Sequence, residues 1–233
     1  HLLGDEVDKI RNWVDYEYKD AKFAAIRQAI YSLRETKRLL TVNVYGLGAM
    51  THPGDLALVL QKAVTETLHK HKINIAVPTD YENYIEQIRQ NPEIWNHLIE
   101  THTALSSVVA NSDQLVESLS TGDLGIFHRV SDTLREAQLD IRLNNDNIKQ
   151  WLTEIQDRLA ELGTYNGLLI VWDEFTDVMT DAIGVPVLKQ LQEVAQKFMN
   201  EDSNSYIFLI SHPSAFNGVD SEQLKQTDGR YHR

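Results

Sequence analysis

Two adjacent carboxylates, Asp173 and Glu174, close the apolar run Leu168-Leu169-Ile170-Val171-Trp172, which begins just after Asn166-Gly167. A short apolar run bounded by a turn signal reads as a buried strand, typically of a parallel sheet. Open α/β sheets bind ligands at the carboxyl ends of their strands. The two acids therefore stand where a strand delivers side chains into a crevice. Such a pair can support a divalent cation and act on a water molecule. The other reading is a strand that ends at a solvated acidic turn.

A second apolar run, Tyr206 to Ile210, ends in Ser211-His212-Pro213-Ser214. If both runs lie in one parallel sheet, both polar ends open on the same side, and a nucleotide site becomes the favoured reading. Ser211 or His212 would be the polar contact at the second strand. A histidine that merely caps a strand end beside Pro213 is at least as common. A phosphate loop of the form G-x-x-x-x-G-K-[ST] occurs nowhere in the chain. Gly46-Leu47-Gly48 follows an apolar stretch, but it lacks the lysine and runs into Thr51-His52-Pro53, so it reads as a turn.

Other clusters are weaker. His69 and His71 are two apart and do not share a helical face. His97 and His102 have no cysteine and no clear acidic third ligand, so zinc is not expected there. There is no G-x-S-x-G elbow. Trp13, Trp95, Trp151 and Trp172 read as packing residues.

The elements that must position the acids alternate between helix and strand. Residues 5–35 read as one long helix, and Leu39 to Tyr45 as a strand. Asp55 is a plausible cap for a helix from Leu56 to His71, and Ile73 to Val77 is a short apolar piece that stops at Pro78. Thr79 or Asp80 caps the helix Tyr81 to Gln90, and Pro92 opens another. Three helical segments are expected at 92–118, 123–140 and 145–162, with breaks at Asn111-Ser112 and Ser120-Thr121-Gly122 and the last ended by Gly163. Val185-Pro186 begins a helix to about Met199. The order predicts a parallel sheet covered on both faces, with residues 1–78 and 163–233 forming an α/β core. The stretch 79–162 is too long for a simple crossover and reads as an all-helical insertion, packed through Leu98, Leu105, Leu119, Leu134, Trp151 and Ile155.

The chain has 233 residues, 34 acidic against 22 basic, and a formal net charge of −12. That balance argues against a broad nucleic-acid or acidic-membrane surface, and leaves DNA contact only indirect. With no cysteine, disulfides and thiolate chemistry are excluded. No apolar run is long enough to span a bilayer and no secretory signal is evident, so a cytoplasmic location without membrane contact is expected. His1 in place of methionine, with a helix already under way, reads as a segment of a longer protein.

The run LLIVWDEF, a following helix rich in Gln and Ala, the strand YIFLISHPSAF and the closing Asp228-Gly229-Arg230-Tyr231 resemble a group of large bacterial P-loop ATPases. These belong to anti-phage gene clusters of the bacteriophage-exclusion and phage-growth-limitation kind. The likeness covers residues 166–233 well and 39–70 weakly. It implies a P-loop-NTPase-like core that binds ATP and Mg2+ and works with other subunits or domains of the same antiviral system. Asp173 would be the Mg2+-supporting carboxylate of the acidic (Walker B) motif, and Glu174 the catalytic carboxylate. Ser211 and His212 would be the sensor, and Arg230 would contact phosphate or a neighbouring subunit, unless it is part of a solvated basic tail. The likeness also implies a phosphate loop upstream of His1, on a strand between those ending at Glu174 and Ser211. Without that loop the chain alone is expected to be inactive. A non-catalytic interaction module with an ATPase-like sheet is the alternative.

Overall fold

The computed structural model describes residues 7–45, 50–52, 54–139, 148–175, 184–199 and 203–211. It is a mixed α/β structure, mostly helical, with a small three-stranded parallel sheet. The chain divides into two compact units, one formed by residues 1–48 and 152–233, the other by residues 49–151. The division thus brings the helix after β1 into the helical unit, earlier than the boundary at 79 expected from the sequence. No helix among the described residues is long and apolar enough to cross a membrane.

The first unit opens with α1 (Val7–Glu17) and α2 (Ala24–Thr36). The sequence predicts one helix here. The structure breaks it after Glu17, and a single 3-10 turn, Ala21–Phe23, bridges the gap. Tyr18 occupies the break and meets both Trp13 and Phe23 edge-on, with ring centroids 6.0 and 5.7 Å apart. Val14 is buried, but α2 buries none of its residues, and its Ile26 and Leu33 stay well exposed.

The sheet consists of β1 (Leu39–Val44), β2 (Gly167–Trp172) and β3 (Tyr206–Leu209), in that spatial order. Both pairings are parallel, with Leu40 opposite Leu168 and Ile170 opposite Ile207. β2 is central, and five of its six residues are buried, as its unbroken apolar run predicts. β3 has the same composition and a different fate. Among the described residues it is an edge strand, and Tyr206, Phe208, Leu209 and Ile210 are 40–55% exposed. Its apolar run reads as a second buried strand, and the structure corrects that reading. The expected strand between β2 and β3 is also absent, because the two are hydrogen-bonded directly and the ladder continues from Ile210 N–H to Trp172 C=O at 2.8 Å.

The start of β2 is pinned by polar groups. Ser205 is buried, accepts the Leu168 N–H through its hydroxyl at 2.9 Å, and donates to Gln156 Oε1 at 2.6 Å. Gln156 belongs to α9 (Ile148–Glu161), which ends before Gly163 at φ +69°, a left-handed geometry that glycine adopts without steric cost. α10 (Gly184–Phe198) buries Val187, Leu191, Val194 and Phe198 along one stripe.

The second unit begins with α3 (Asp55–Lys70) and continues through α4 (Asp80–Gln90), α5 (Pro92–Thr101), α6 (Thr103–Ser106), α7 (Ser112–Ser120) and α8 (Leu124–Glu136). The described part of 79–162 holds helices and no strand, as the periodicity predicts. The stretch 92–118 holds three helices: the break expected at Asn111-Ser112 is there, with Asn111 an extended N-cap whose side chain accepts the Gln114 N–H, and His102, also extended, adds a second, unexpected break. Ile73 to Val77 forms no strand. Thr79, one of two predicted caps, is the actual one. It forms a reciprocal capping box with Glu82. Leu98, Leu105, Leu119 and Leu134 meet in one core with Tyr81, Tyr84, Trp95 and Phe127. Trp151 is buried too, its indole N–H donating to Pro78 C=O at 2.9 Å.

Candidate functional site

Parallel pairing brings the carboxyl ends of all three strands to one edge of the sheet. Asp173 follows β2 there, and its N–H donates to Val44 C=O of β1 at 2.9 Å. Glu174 sits at φ +57°, a left-handed backbone that a non-glycine residue rarely holds. Such a conformation costs on the order of 1–2 kcal/mol, so its neighbours must hold it. The Asp173 carboxylate accepts the Glu174 N–H through Oδ1 at 2.9 Å. One residue on, Phe175 donates its N–H to Ile210 C=O at 2.9 Å, and its buried ring stands edge-on to Trp172 at 5.3 Å. The chain is thus fastened on both sides of Glu174, whose carboxylate is left exposed. Asp173 is half-buried with one oxygen already committed to the turn. Ser211 follows β3, half-buried, at the same edge. Of the predicted site residues, Asp173, Glu174 and Ser211 are brought to one edge. His212 and Arg230 lie outside the described residues, as does the Gly46-Leu47-Gly48 turn.

A second constellation lies in the helical unit, and sequence reading missed it. His52, Asp55 and His128 each offer a ligand atom, and these atoms all lie within 4.8 Å of one another. Asp55 is the first residue of α3, not its N-cap. Its carboxylate nevertheless works at the helix start, where Oδ2 accepts the N–H groups of Thr51 at 2.8 Å and His52 at 3.0 Å. A negative group there also suits the helix dipole. The other oxygen, Oδ1, points at α8, where His128 Nε2 lies 2.9 Å away. The two form a close ion pair when His128 is protonated, and neither atom has a further hydrogen-bond partner among the described residues. Burial pushes the Asp55 carboxyl up, but the His128 ring and the N–H groups of His52 and Thr51 outweigh it and hold the carboxyl below its ordinary value. The His52 and His128 rings face each other with centroids 4.2 Å apart, and His52 Nδ1 meets the Thr51 hydroxyl at 2.8 Å. Only the pair His52 and Asp55, three apart, is local in sequence. His128 reaches them through the packing of α8, which no spacing rule reveals. The histidines weighed from sequence fare differently: His102 Nδ1 lies 3.1 Å from Leu98 C=O at the end of α5.

No protein-family model, no curated protein and no solved structure matches this chain. The functional reading therefore rests on the geometry and on the sequence resemblance alone.

Proposed function

We propose that this chain is part of an ATP-hydrolysing P-loop ATPase, of the kind found among bacterial phage-defence components. The observation that carries the reading is the parallel register of β2 and β3, which sets Asp173, Glu174 and Ser211 on one sheet edge. In this reading Asp173 supports Mg2+, and Glu174, exposed and fixed by its left-handed backbone, acts on the attacking water. Ser211, with His212 beside it in sequence, contacts the terminal phosphate, and Arg230 neutralises charge on it or reaches a neighbouring subunit. Backbone strain held by its surroundings is characteristic of functional positions, which favours a use for Glu174 beyond closing a turn. The reading needs a phosphate loop that these 233 residues do not contain, supplied from elsewhere. The outer edge of β3 is the place at which its strand adds, since β2 already has neighbours on both sides.

The test is phosphate release and equilibrium ATP binding by the polypeptide extended upstream of His1, with Glu174→Gln beside it. The substitution keeps shape and removes the charged acceptor. Turnover should fall by about 10²–10⁴-fold while ATP affinity holds. The 233-residue chain alone should bind ATP weakly and not hydrolyse it, because most affinity in such sites comes from backbone amides and a lysine around the phosphates. Unchanged turnover in Glu174→Gln would remove the catalytic assignment. The second reading is a non-catalytic interaction module, favoured by the exposed apolar side chains of Phe208 and Ile210. It would stand if the upstream residues hold no glycine-rich loop with Lys-Ser or Lys-Thr.

A further inference from the structure

The geometry points to a transition-metal site in the helical unit, built from His52, Asp55 and His128 and suited to Zn2+. Its core is the buried carboxylate of Asp55, 0% exposed, with an oxygen that no hydrogen bond among the described residues satisfies. Its other oxygen takes two backbone N–H groups, but Oδ1 faces only His128 Nε2, and buried polar atoms seldom stay without a hydrogen bond. The atom facing it, His128 Nε2, is likewise buried and unmatched. With His52 beside them, these two buried atoms 2.9 Å apart form a convergent set of ligand atoms that a shared cation would fit.

The donor set selects the ion. Two imidazoles and one carboxylate suit zinc, copper or nickel, whereas calcium and magnesium take sets made wholly of oxygen. Zinc lies about 2.0–2.2 Å from such ligands, which places tetrahedral ligand atoms roughly 3.3–3.5 Å apart. The 2.9 Å between Asp55 Oδ1 and His128 Nε2 is slightly tight, and the 4.8 Å bound on the cluster slightly loose. A small rotation of His52, which is exposed, would bring it in, and a small shift of the His128 ring would open the 2.9 Å separation. The surroundings are arranged as supporting contacts to ligands usually are. The Thr51 hydroxyl holds His52 Nδ1, and the second Asp55 oxygen is fixed by two backbone N–H groups. Behind His128, the Phe127 ring sits in the core of the unit. Three protein ligands with one exposed leave the fourth position to water, the arrangement of an open site. The cation would join the loop before α3 to α8, elements far apart in sequence.

The experiment uses the 233-residue chain stripped with a chelator and titrated with Zn2+ by calorimetry, with Tm followed in parallel. One equivalent should bind and raise Tm, and Co2+ in its place should give the visible absorption of a tetrahedral site. Asp55→Ala is a poor probe, because it also removes the acceptor for Thr51 and His52. His52→Ala is the informative variant. It lies on an exposed loop, should leave the metal-free Tm unchanged, and should weaken Zn2+ binding at least about tenfold. His128→Ala should weaken it as much, and His69→Ala, at an exposed histidine elsewhere on α3, should not weaken it. Binding well below one equivalent, or equal affinity in wild type and His52→Ala, would overturn the site and leave Asp55 and His128 as a simple contact between helices.

Discussion

Tyr81→Phe should stabilise this protein, and the gain should grow at alkaline pH. Tyr81 stands in the first turn of α4, 7% exposed, with its ring against Phe127 at a centroid distance of 5.0 Å. Its hydroxyl is buried without a hydrogen-bond partner among the described residues. An unsatisfied buried hydroxyl costs roughly 1–3 kcal/mol, and phenylalanine keeps the ring while removing it. The gain at neutral pH should therefore lie between nothing and about 3 kcal/mol, its upper part reached only if the site closes over the missing atom. The pH dependence has a definite sign. Burial first, then the carboxylates of Asp123 and Asp55, push the Tyr81 phenol above its ordinary value of 10.0. Above that value the unfolded chain releases a proton that the folded chain keeps. Stability is thus whole below about pH 10 and is lost as pH rises toward the folded value, by at most about 1.4 kcal/mol per pH unit. Tyr84 is raised in the same direction, chiefly by burial and partly offset by its hydrogen bond with Ser131, so it adds to the alkaline loss. Urea unfolding followed by far-ultraviolet circular dichroism, at neutral pH and above about pH 10, measures both effects. Wild type should lose stability over that interval more steeply than Tyr81→Phe. If Tyr81→Phe is instead destabilised by about 1 kcal/mol or more, the hydroxyl has a partner and the reasoning fails.

Two further substitutions test the frame. A Cβ on Gly167 would stand 2.3 Å from Asn204 C=O oxygen and 2.7 Å from its carbon, both backbone atoms that cannot swing away. Gly167→Ala should therefore cost about 1–3 kcal/mol in urea unfolding by forcing β2 and the lead-in to β3 apart; an unchanged midpoint would show that they are not in close contact. Thr79→Ala removes half of the capping box with Glu82 and should lower stability by about 0.5–2 kcal/mol, read as a lower thermal midpoint. A midpoint equal to wild type would mean that the α4 start is held by Gln61 and the Asp80 N–H alone, which meet at 3.0 Å.

The sequence was most informative where a local rule carries the structure. The apolar run before Asp173 became the central strand, Thr79 became a cap, Pro92 opened α5, and Gly163 followed the end of α9. Each depends on one or two neighbouring residues. Failures came where tertiary contacts decide. The break after Glu17 depends on Tyr18 stacking with residues on both sides, and the break at His102 on an extended backbone inside an otherwise helical pattern. Asp173 and Glu174 could be nominated because one strand delivers both. His52, Asp55 and His128 could not, because their meeting depends on how α8 packs beside the start of α3.

The contrast between β2 and β3 shows what an apolar run can and cannot say. Ile170 and Trp172 are fully buried, while Phe208 and Leu209, one strand over, are 55% and 42% exposed. Both runs are apolar, so the difference comes from position: among the described residues β2 pairs on both sides and β3 on one. Soluble edge strands are usually blunted by charge, proline or a bulge. Tyr206-Ile207-Phe208-Leu209-Ile210 carries no charge and no proline. Its backbone is therefore in the condition of a strand that expects a neighbour. In the ATPase reading that neighbour carries the phosphate loop and arrives beside Ser211, on the edge where Glu174 is already held. The interaction reading also fills the β3 edge but gives the left-handed Glu174 nothing to do. The strained carboxylate, more than the exposed strand, is what separates the two.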